Sequence, residues 1–161
     1  MNIAIKHLIA WLVLLTGNLS TAQNSIDNLL KRYRNDNDVI HYNLKGDISK
    51  LFAEQDEILF NSKVESLELI LFNNGKNISP KDAERVNKAV DTEGWEMLMN
   101  VKDKSNNFKM YAVGDDQILK KVFVQVQSSD LNAYLLFKGT ILFEEIAKLN
   151  FGKVVSQAFS K

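Results

Sequence analysis

Few side chains in this sequence are suited to catalysis. His41 is the one histidine after residue 22, and the chain has no cysteine. A lone histidine without cysteine cannot form the usual zinc site, and disulfides and thiolate nucleophiles are excluded as well. We expect His41 to be exposed to solvent, because it lies between Ile40 and Tyr42 on the opposite face of a predicted strand. No nucleophile elbow or phosphate-binding glycine motif occurs.

Two pairs of adjacent carboxylates are the next candidates, since paired acids serve as general acid and base in hydrolases. Glu144 and Glu145 open a predicted helix, where acids complement the helix dipole. Asp115 and Asp116 lie in a predicted hairpin turn, where aspartate bonds to nearby backbone N–H groups. Adjacent residues at such places are solvated and point apart. We therefore interpret both pairs as structural.

One turn offers oxygen ligands that suit calcium, from Asp103, Asn106 and Asn107. The spacing of an EF-hand is absent, and turns rich in Asp and Asn are common without any metal. The sequence assigns no metal ligand, no cofactor-binding residue and no catalytic residue.

Met97 and Met99, close to Trp95, suggest a site for a soft metal or an apolar ligand, because thioethers bind soft ions. Their alternation with polar residues is typical of a β-strand, which favours a role in filling the core.

The first 22 residues have the organisation of a secretory signal. Lys6 precedes an apolar run at residues 8–15, and Ser20-Thr21-Ala22 provides small residues for a signal peptidase. The apolar run is too short for the roughly 20 residues of a bilayer span. We predict a cleavable signal peptide over residues 1–22, with cleavage between Ala22 and Gln23. Residues 23–161 then form a single domain that is exported to the periplasm or secreted.

Hydrophobic patterns after the leader predict alternating helices and strands. Ser25 and the Ser79-Pro80 pair are helix-start signals. A third helix is predicted to open at Gly139-Thr140. The predicted strands cover residues 39–44, 66–72, 96–102, 108–113, 119–127 and 132–138.

These elements predict an α+β fold in two layers, with a mainly antiparallel sheet of about six strands and helices packed on one face. The apolar run at 67–72 indicates a central strand that is buried on both faces. In the later strands, regular alternation predicts one face on the core and one face on water. Val122, Val124 and Val126 are expected on one side of their strand, and Gln125 on the other.

Several segments resemble a known family of exported proteins from Bacteroidetes, domain of unknown function 4252. The resemblance covers most of the mature chain and is carried by Gly94-Trp95-Glu96-Met97-Leu98 and Leu135-Leu136-Phe137-Lys138-Gly139, followed by the helix from Ile141. It implies export and provides no catalytic residues. Members are often lipoproteins, but this chain lacks the cysteine that lipid attachment requires.

Twenty basic residues balance twenty acidic ones, so neither nucleic acid nor an anionic membrane surface is an expected partner. No membrane span is expected after processing. We expect a non-enzymatic exported domain that binds an envelope protein, or a small apolar ligand held between the sheet and the helices. The alternatives are a carboxylate-dependent hydrolase and a structural or assembly component of the cell envelope.

Overall fold

The computed structural model describes residues 25–49 and 61–146. These residues form three helices and six strands in an α+β fold, as predicted. Their order is α1 (Ile26–Arg32), β1 (Val39–Lys45), β2 (Lys63–Asn73), α2 (Pro80–Thr92), β3 (Glu96–Lys102), β4 (Asn107–Gly114), β5 (Ile118–Gln127), β6 (Leu131–Leu142) and α3 (Phe143–Ile146). The predicted leader and the part of the terminal helix beyond Ile146 lie outside the described residues. No helix in the described ranges is long and apolar enough to cross a membrane.

Both long helices begin where the sequence predicts. The Ser25 hydroxyl accepts a hydrogen bond from the Asn28 backbone N–H at the start of α1. The Ser79 hydroxyl does the same for Asp82 at the start of α2, and Pro80 occupies the first helical position. Each serine therefore satisfies a backbone donor that the helix leaves unpaired.

The sheet has the strand order β1-β2-β6-β5-β4-β3, and every neighbouring pair is antiparallel. Strands β3 to β6 form the predicted meander. Strand β2 pairs with β6, so β1 and β3 are the two edges of the sheet.

Apolar side chains are buried on both faces of the central strands. The face that carries α1 and α2, called here the helix face, contains Ile70, Phe72, Phe123, Tyr134 and Leu136. The opposite side, called here the far face, contains a second cluster that includes Leu69, Leu71, Val122, Val124 and Leu135. The prediction that one face of the later strands is open to water is therefore wrong for β5 and β6, because both of their faces carry buried side chains.

One buried carboxylate connects the two long helices. Asp82 Oδ1 accepts hydrogen bonds from Arg32 and Arg85, each at 2.8 Å, and Oδ2 accepts from the Tyr33 hydroxyl at 2.8 Å and the Ser79 hydroxyl at 3.0 Å. Burial raises the pKa of Asp82, but these bonds and the charge of Arg32 outweigh burial and hold the pKa below its usual value. The ion pairs fix α1 against the start of α2.

The C-terminal end of β6 differs from the prediction. Gly139 does not open a helix but lies inside β6, with φ of +157°. A Cβ atom at this position would lie 2.1 Å from the Lys63 carbonyl oxygen of the neighbouring strand, so the close approach requires glycine. The helix starts at Phe143, and its Ile146 packs in the far-face cluster instead of beside α2.

Candidate ligand-binding pocket

A pocket of about 170 Å³ lies between α2 and the helix face of the sheet. Three apolar residues come from α2 and the turn before it. Asn87 also comes from α2, and the remaining lining is mostly polar and comes from three adjacent strands. The lining residues are Ile78, Ala83, Val86, Asn87, Lys109, Gln125, Gln127 and Tyr134.

The pairing of the strands brings the polar side chains together. Gln125 and Gln127 are two residues apart on β5 and therefore share a face. Gln125 is paired with Lys109 on β4 and with Tyr134 on β6. Residues directly opposite in an antiparallel pair project to the same side, so all four side chains meet under α2.

A chain of hydrogen bonds crosses the strands at one end of the pocket. The Asn107 amide donates to Gln127 Oε1, and Gln127 Nε2 donates to the Tyr134 hydroxyl, both at 3.4 Å. The Tyr134 hydroxyl donates to Asn77 Oδ1, in the loop that leads to α2. Burial is the main cause that raises the pKa of Tyr134. Tyr134 is therefore uncharged where it lines the pocket. Its hydroxyl already accepts one hydrogen bond from Gln127 and donates one to Asn77.

Gln125 has no such partner. Its residue is only 7% exposed, and its side chain makes no hydrogen bond within the described part of the chain. Nearby, the buried Asn107 Oδ1 also has no partner among the described residues. An unpaired atom that is fully buried costs about 1–3 kcal/mol; the Gln125 amide differs from Asn107 Oδ1 because it opens to the pocket and remains accessible from it. Gln125 offers a carbonyl and two N–H groups, so it can accommodate a polar guest in the pocket.

Lys109 is the one charged residue among the lining side chains. It is half-buried, and no ion pair involves it within residues 25–49 and 61–146. A lysine without a counter-ion beside an unpaired amide favours a guest that carries one negative charge and further hydrogen-bonding groups.

A larger cavity of about 330 Å³ lies on the far face near the turn between β4 and β5. Its polar rim consists of Glu96, Asp115 and Asp116, all exposed. The Asp115 carboxylate accepts backbone N–H bonds from Ile118 at 2.7 Å and Gln117 at 2.9 Å, and these bonds lower its pKa. These are the side-chain-to-backbone bonds that the sequence predicts for an aspartate in this turn. Water satisfies such exposed carboxylates, and the lining of this cavity includes no positively charged residue, unlike that of the pocket under α2.

Glu145 is not solvated, contrary to the prediction. It is 5% exposed, and its oxygens accept backbone N–H bonds from Asn61 and Ser62 at 2.8 Å and the Ser62 hydroxyl bond at 2.5 Å. Burial raises its pKa, but the bonds from Ser62 and Asn61 outweigh burial and lower it. Because the Ser62 hydroxyl also accepts from the Leu142 N–H at 2.8 Å, the group fastens the start of β2 to the end of β6.

His41 is half-buried on the helix face, so its predicted exposure is wrong. Its Nε2 lies 3.3 Å from Glu68 Oε1, and Arg34 donates to both oxygens of Glu68 at 2.7 and 2.8 Å. Ile40 and Tyr42, predicted on the opposite side, are exposed on the far face at the sheet edge. The reason is the position of β1: helix α1 covers one face of this edge strand, and the other face remains open.

The two methionines do not fill the core as predicted. Met97 and Met99 are exposed because β3 is the other edge of the sheet. Trp95 is buried and packs edge-on against Phe123, with 6.1 Å between ring centroids.

The calcium candidates are partly occupied by their own turn. Asp103 Oδ1 accepts from the Lys104 backbone N–H at 2.6 Å, and the Asn107 amide is bonded to Gln127. Across the described ranges, no group of three or more His, Asp or Glu residues is arranged to hold a metal ion.

Sequence reasoning missed the residues of the pocket. It placed Gln125 correctly, opposite the valine row of its strand, but assumed that water covered that side. The signal was present in the alternation Val124-Gln125-Val126. What the sequence did not reveal is that α2 covers this part of the sheet.

A family model described as "Domain of unknown function (DUF4252)" matches residues 33–149. The match includes every element from β1 to α3 and all the polar residues that line the pocket. No curated protein and no solved structure matches the chain.

Proposed function

The chain belongs to the family named domain of unknown function 4252, and we propose that it is an exported, non-enzymatic domain that binds a small polar ligand under α2. The observation that carries the proposal is Gln125, a largely buried residue whose side-chain amide lines the pocket and makes no hydrogen bond within the described part of the chain. Proteins keep such groups at functional sites, where a ligand completes the hydrogen bonds.

The ligand class follows from the lining. The sequence predicts an envelope protein or a small apolar ligand, the latter between the sheet and the helices. A pocket exists at that place, but amides and an amine form much of its wall. Lys109 provides one positive charge, Gln125 provides hydrogen bonds in both directions, and Val86 with Ala83 provides an apolar floor. We therefore propose a small carboxylate that also carries hydroxyl or amide groups, such as a sugar acid or an N-acylated amino acid.

Non-enzymatic action is supported by the protonation of the candidate groups. A general acid at neutral pH needs a raised carboxyl pKa. The described carboxylates with displaced pKa values, Asp82, Asp115 and Glu145, are all displaced downward. The rival hypothesis, a carboxylate-dependent hydrolase, would place its chemistry at the acidic cavity near β4. Turnover of a glycoside or ester panel that is lost in Glu96→Gln would favour that rival.

Export is supported by the pattern of residues 1–22, and the lack of cysteine is compatible with it. The test is the N-terminus of the protein recovered from the envelope of its host. We expect it to begin at Gln23, and a chain that still begins at Met1 would contradict export by this signal.

Calorimetric titration tests the ligand class. D-galacturonate, N-acetylglycine and L-lactate serve as probes, with D-galactose as the neutral counterpart of galacturonate. We expect at least one carboxylate to bind, galactose to bind about tenfold more weakly or worse, and Lys109→Met to remove that difference. The matched control is Lys120→Met, an exposed lysine on the same sheet. No heat from any of the three carboxylates would refute the proposed class.

The variant Gln125→Leu separates a binding role from a structural one. Leucine has a similar shape and needs no hydrogen bond, so we expect it to abolish binding without destabilising the fold. If Gln125 instead served the fold, the same variant would be less stable than the wild type, and the proposal would be wrong.

A further inference from the structure

The β1 edge of the sheet carries an exposed row of apolar side chains. Ile40, Tyr42 and Leu44 are 36%, 43% and 38% exposed. They are paired with the buried Leu71, Leu69 and Leu67 of β2, so the row extends the far-face cluster to the sheet edge. Large side chains in such a row are typical of an interaction surface.

Strand β1 also has the regular backbone that strand pairing requires. Its seven residues pair with β2 without any shift of register, whereas β3 has an irregularity between Met97 and Met99. Natural sheet edges are commonly blocked by bulges, prolines or several charges. β1 has no proline and no bulge, and Lys45 is its one lysine, arginine or acidic residue.

We propose that β1 pairs with β1 of a second copy, antiparallel, around a two-fold axis through Tyr42. Because the axis is perpendicular to the sheet, each face continues across the junction. Tyr42 then lies beside Tyr42 of the second copy, and Ile40 lies beside Leu44. All seven residues of the strand find a partner in this register, which joins two six-stranded sheets into one.

The charges of β1 favour a second copy over a foreign strand. In this register Lys45 lies opposite Val39 of the second copy, next to Asp38, an exposed carboxylate that also pairs with Lys76 of its own chain at 2.6 Å. The two Lys45 residues are then about 20 Å apart, at a rise of about 3.4 Å per residue, so they do not repel each other. His41, held by Glu68, lies opposite the polar Asn43.

The two-fold symmetry of the pairing, which ends the assembly at two copies along this edge, is a second argument for self-pairing. A two-fold interface uses the β1 edge of both copies and leaves none free for further addition. A strand of seven residues forms a small interface, so we expect a dimer that dissociates on dilution.

Charged substitutions of Tyr42, the residue at the axis, test this pairing. The fraction of dimer is measured by sedimentation velocity over a range of concentrations. Tyr42→Lys and Tyr42→Glu should each weaken the dimer about tenfold or more, since like charges meet at the axis. An equimolar mixture of the two should restore the dimer, which only pairing of residue 42 with itself predicts. Met99→Lys, at the opposite edge, should leave it unchanged.

Three results would overturn the proposal. These are a wild-type monomer at every concentration, a mixture that stays monomeric, and loss of the dimer in Met99→Lys alone. A wild-type monomer that captures a foreign extended peptide at β1 would assign the edge to another protein and also count against self-pairing. None of these results depends on ligand binding under α2.

Discussion

Replacing Glu145 by glutamine should destabilise the domain, although the change is nearly isosteric. The two carboxylate oxygens accept three hydrogen bonds, two from backbone N–H groups and one from the Ser62 hydroxyl. Glutamine keeps one oxygen and places an NH₂ group against a backbone N–H donor in either orientation. The N–H group of exposed Asn61 or of buried Ser62 then loses its partner.

The expected loss is about 2 kcal/mol, within the range that hydrogen bonds to a charged group typically contribute. For a chain of 161 residues, this corresponds to a fall in Tm of about 4–8 °C. The assay is urea unfolding followed by circular dichroism, with the m-value checked for constancy. Glu144→Gln is the matched control, because Glu144 is the adjacent residue and its side chain is exposed. If the two variants unfold at the same urea concentration, the role assigned to Glu145 is wrong.

Three further predictions concern the same fold. The pKa values of Asp82 and Glu145 are lowered in the folded state, so the unfolded chain binds more protons in acid. The free energy of unfolding should be constant near pH 7 and fall as the pH drops below about 5, less steeply in Glu145→Gln. Gly139→Ala should lower the free energy of unfolding by about 2 kcal/mol or more, measured by thermal unfolding. Gly94→Ala should lower it less, because both glycines have positive φ but an added Cβ meets backbone only at Gly139. Arg34→Ala should lower the free energy of unfolding in urea by about 3 kcal/mol, because Glu68, which is 7% exposed, loses its bidentate partner. A change below about 0.5 kcal/mol would show that water replaces the arginine.

The sequence was sufficient to predict elements whose signals are local. The serine caps and Pro80 marked the starts of α1 and α2, and the apolar run at 67–72 marked a strand with two buried faces. The order of the meander followed from the turns between its strands. Gly139 is a counterexample, since its positive φ serves a close approach between strands and the sequence alone suggests a helix start.

The burial of polar side chains could not be predicted in the same way, because it depends on which face a distant element covers. His41 has the alternation of an exposed residue, but the pairing of β1 with β2 brings it next to Glu68. Met97 and Met99 have the alternation of core residues, yet β3 is at the sheet edge. Gln125 was placed on the correct face, and only the position of α2 shows that this face is closed.

The most direct test of ligand binding under α2 is an NMR titration that follows side-chain amide resonances of ¹⁵N-labelled protein with D-galacturonate, N-acetylglycine or L-lactate. We predict saturable shifts of the Gln125 and Asn107 side-chain N–H₂ signals, and of backbone signals at Lys109, with at least one of these acids. Signals that stay unmoved under saturating concentrations of all three, or that move only around Asp115 and Glu96, would contradict the account.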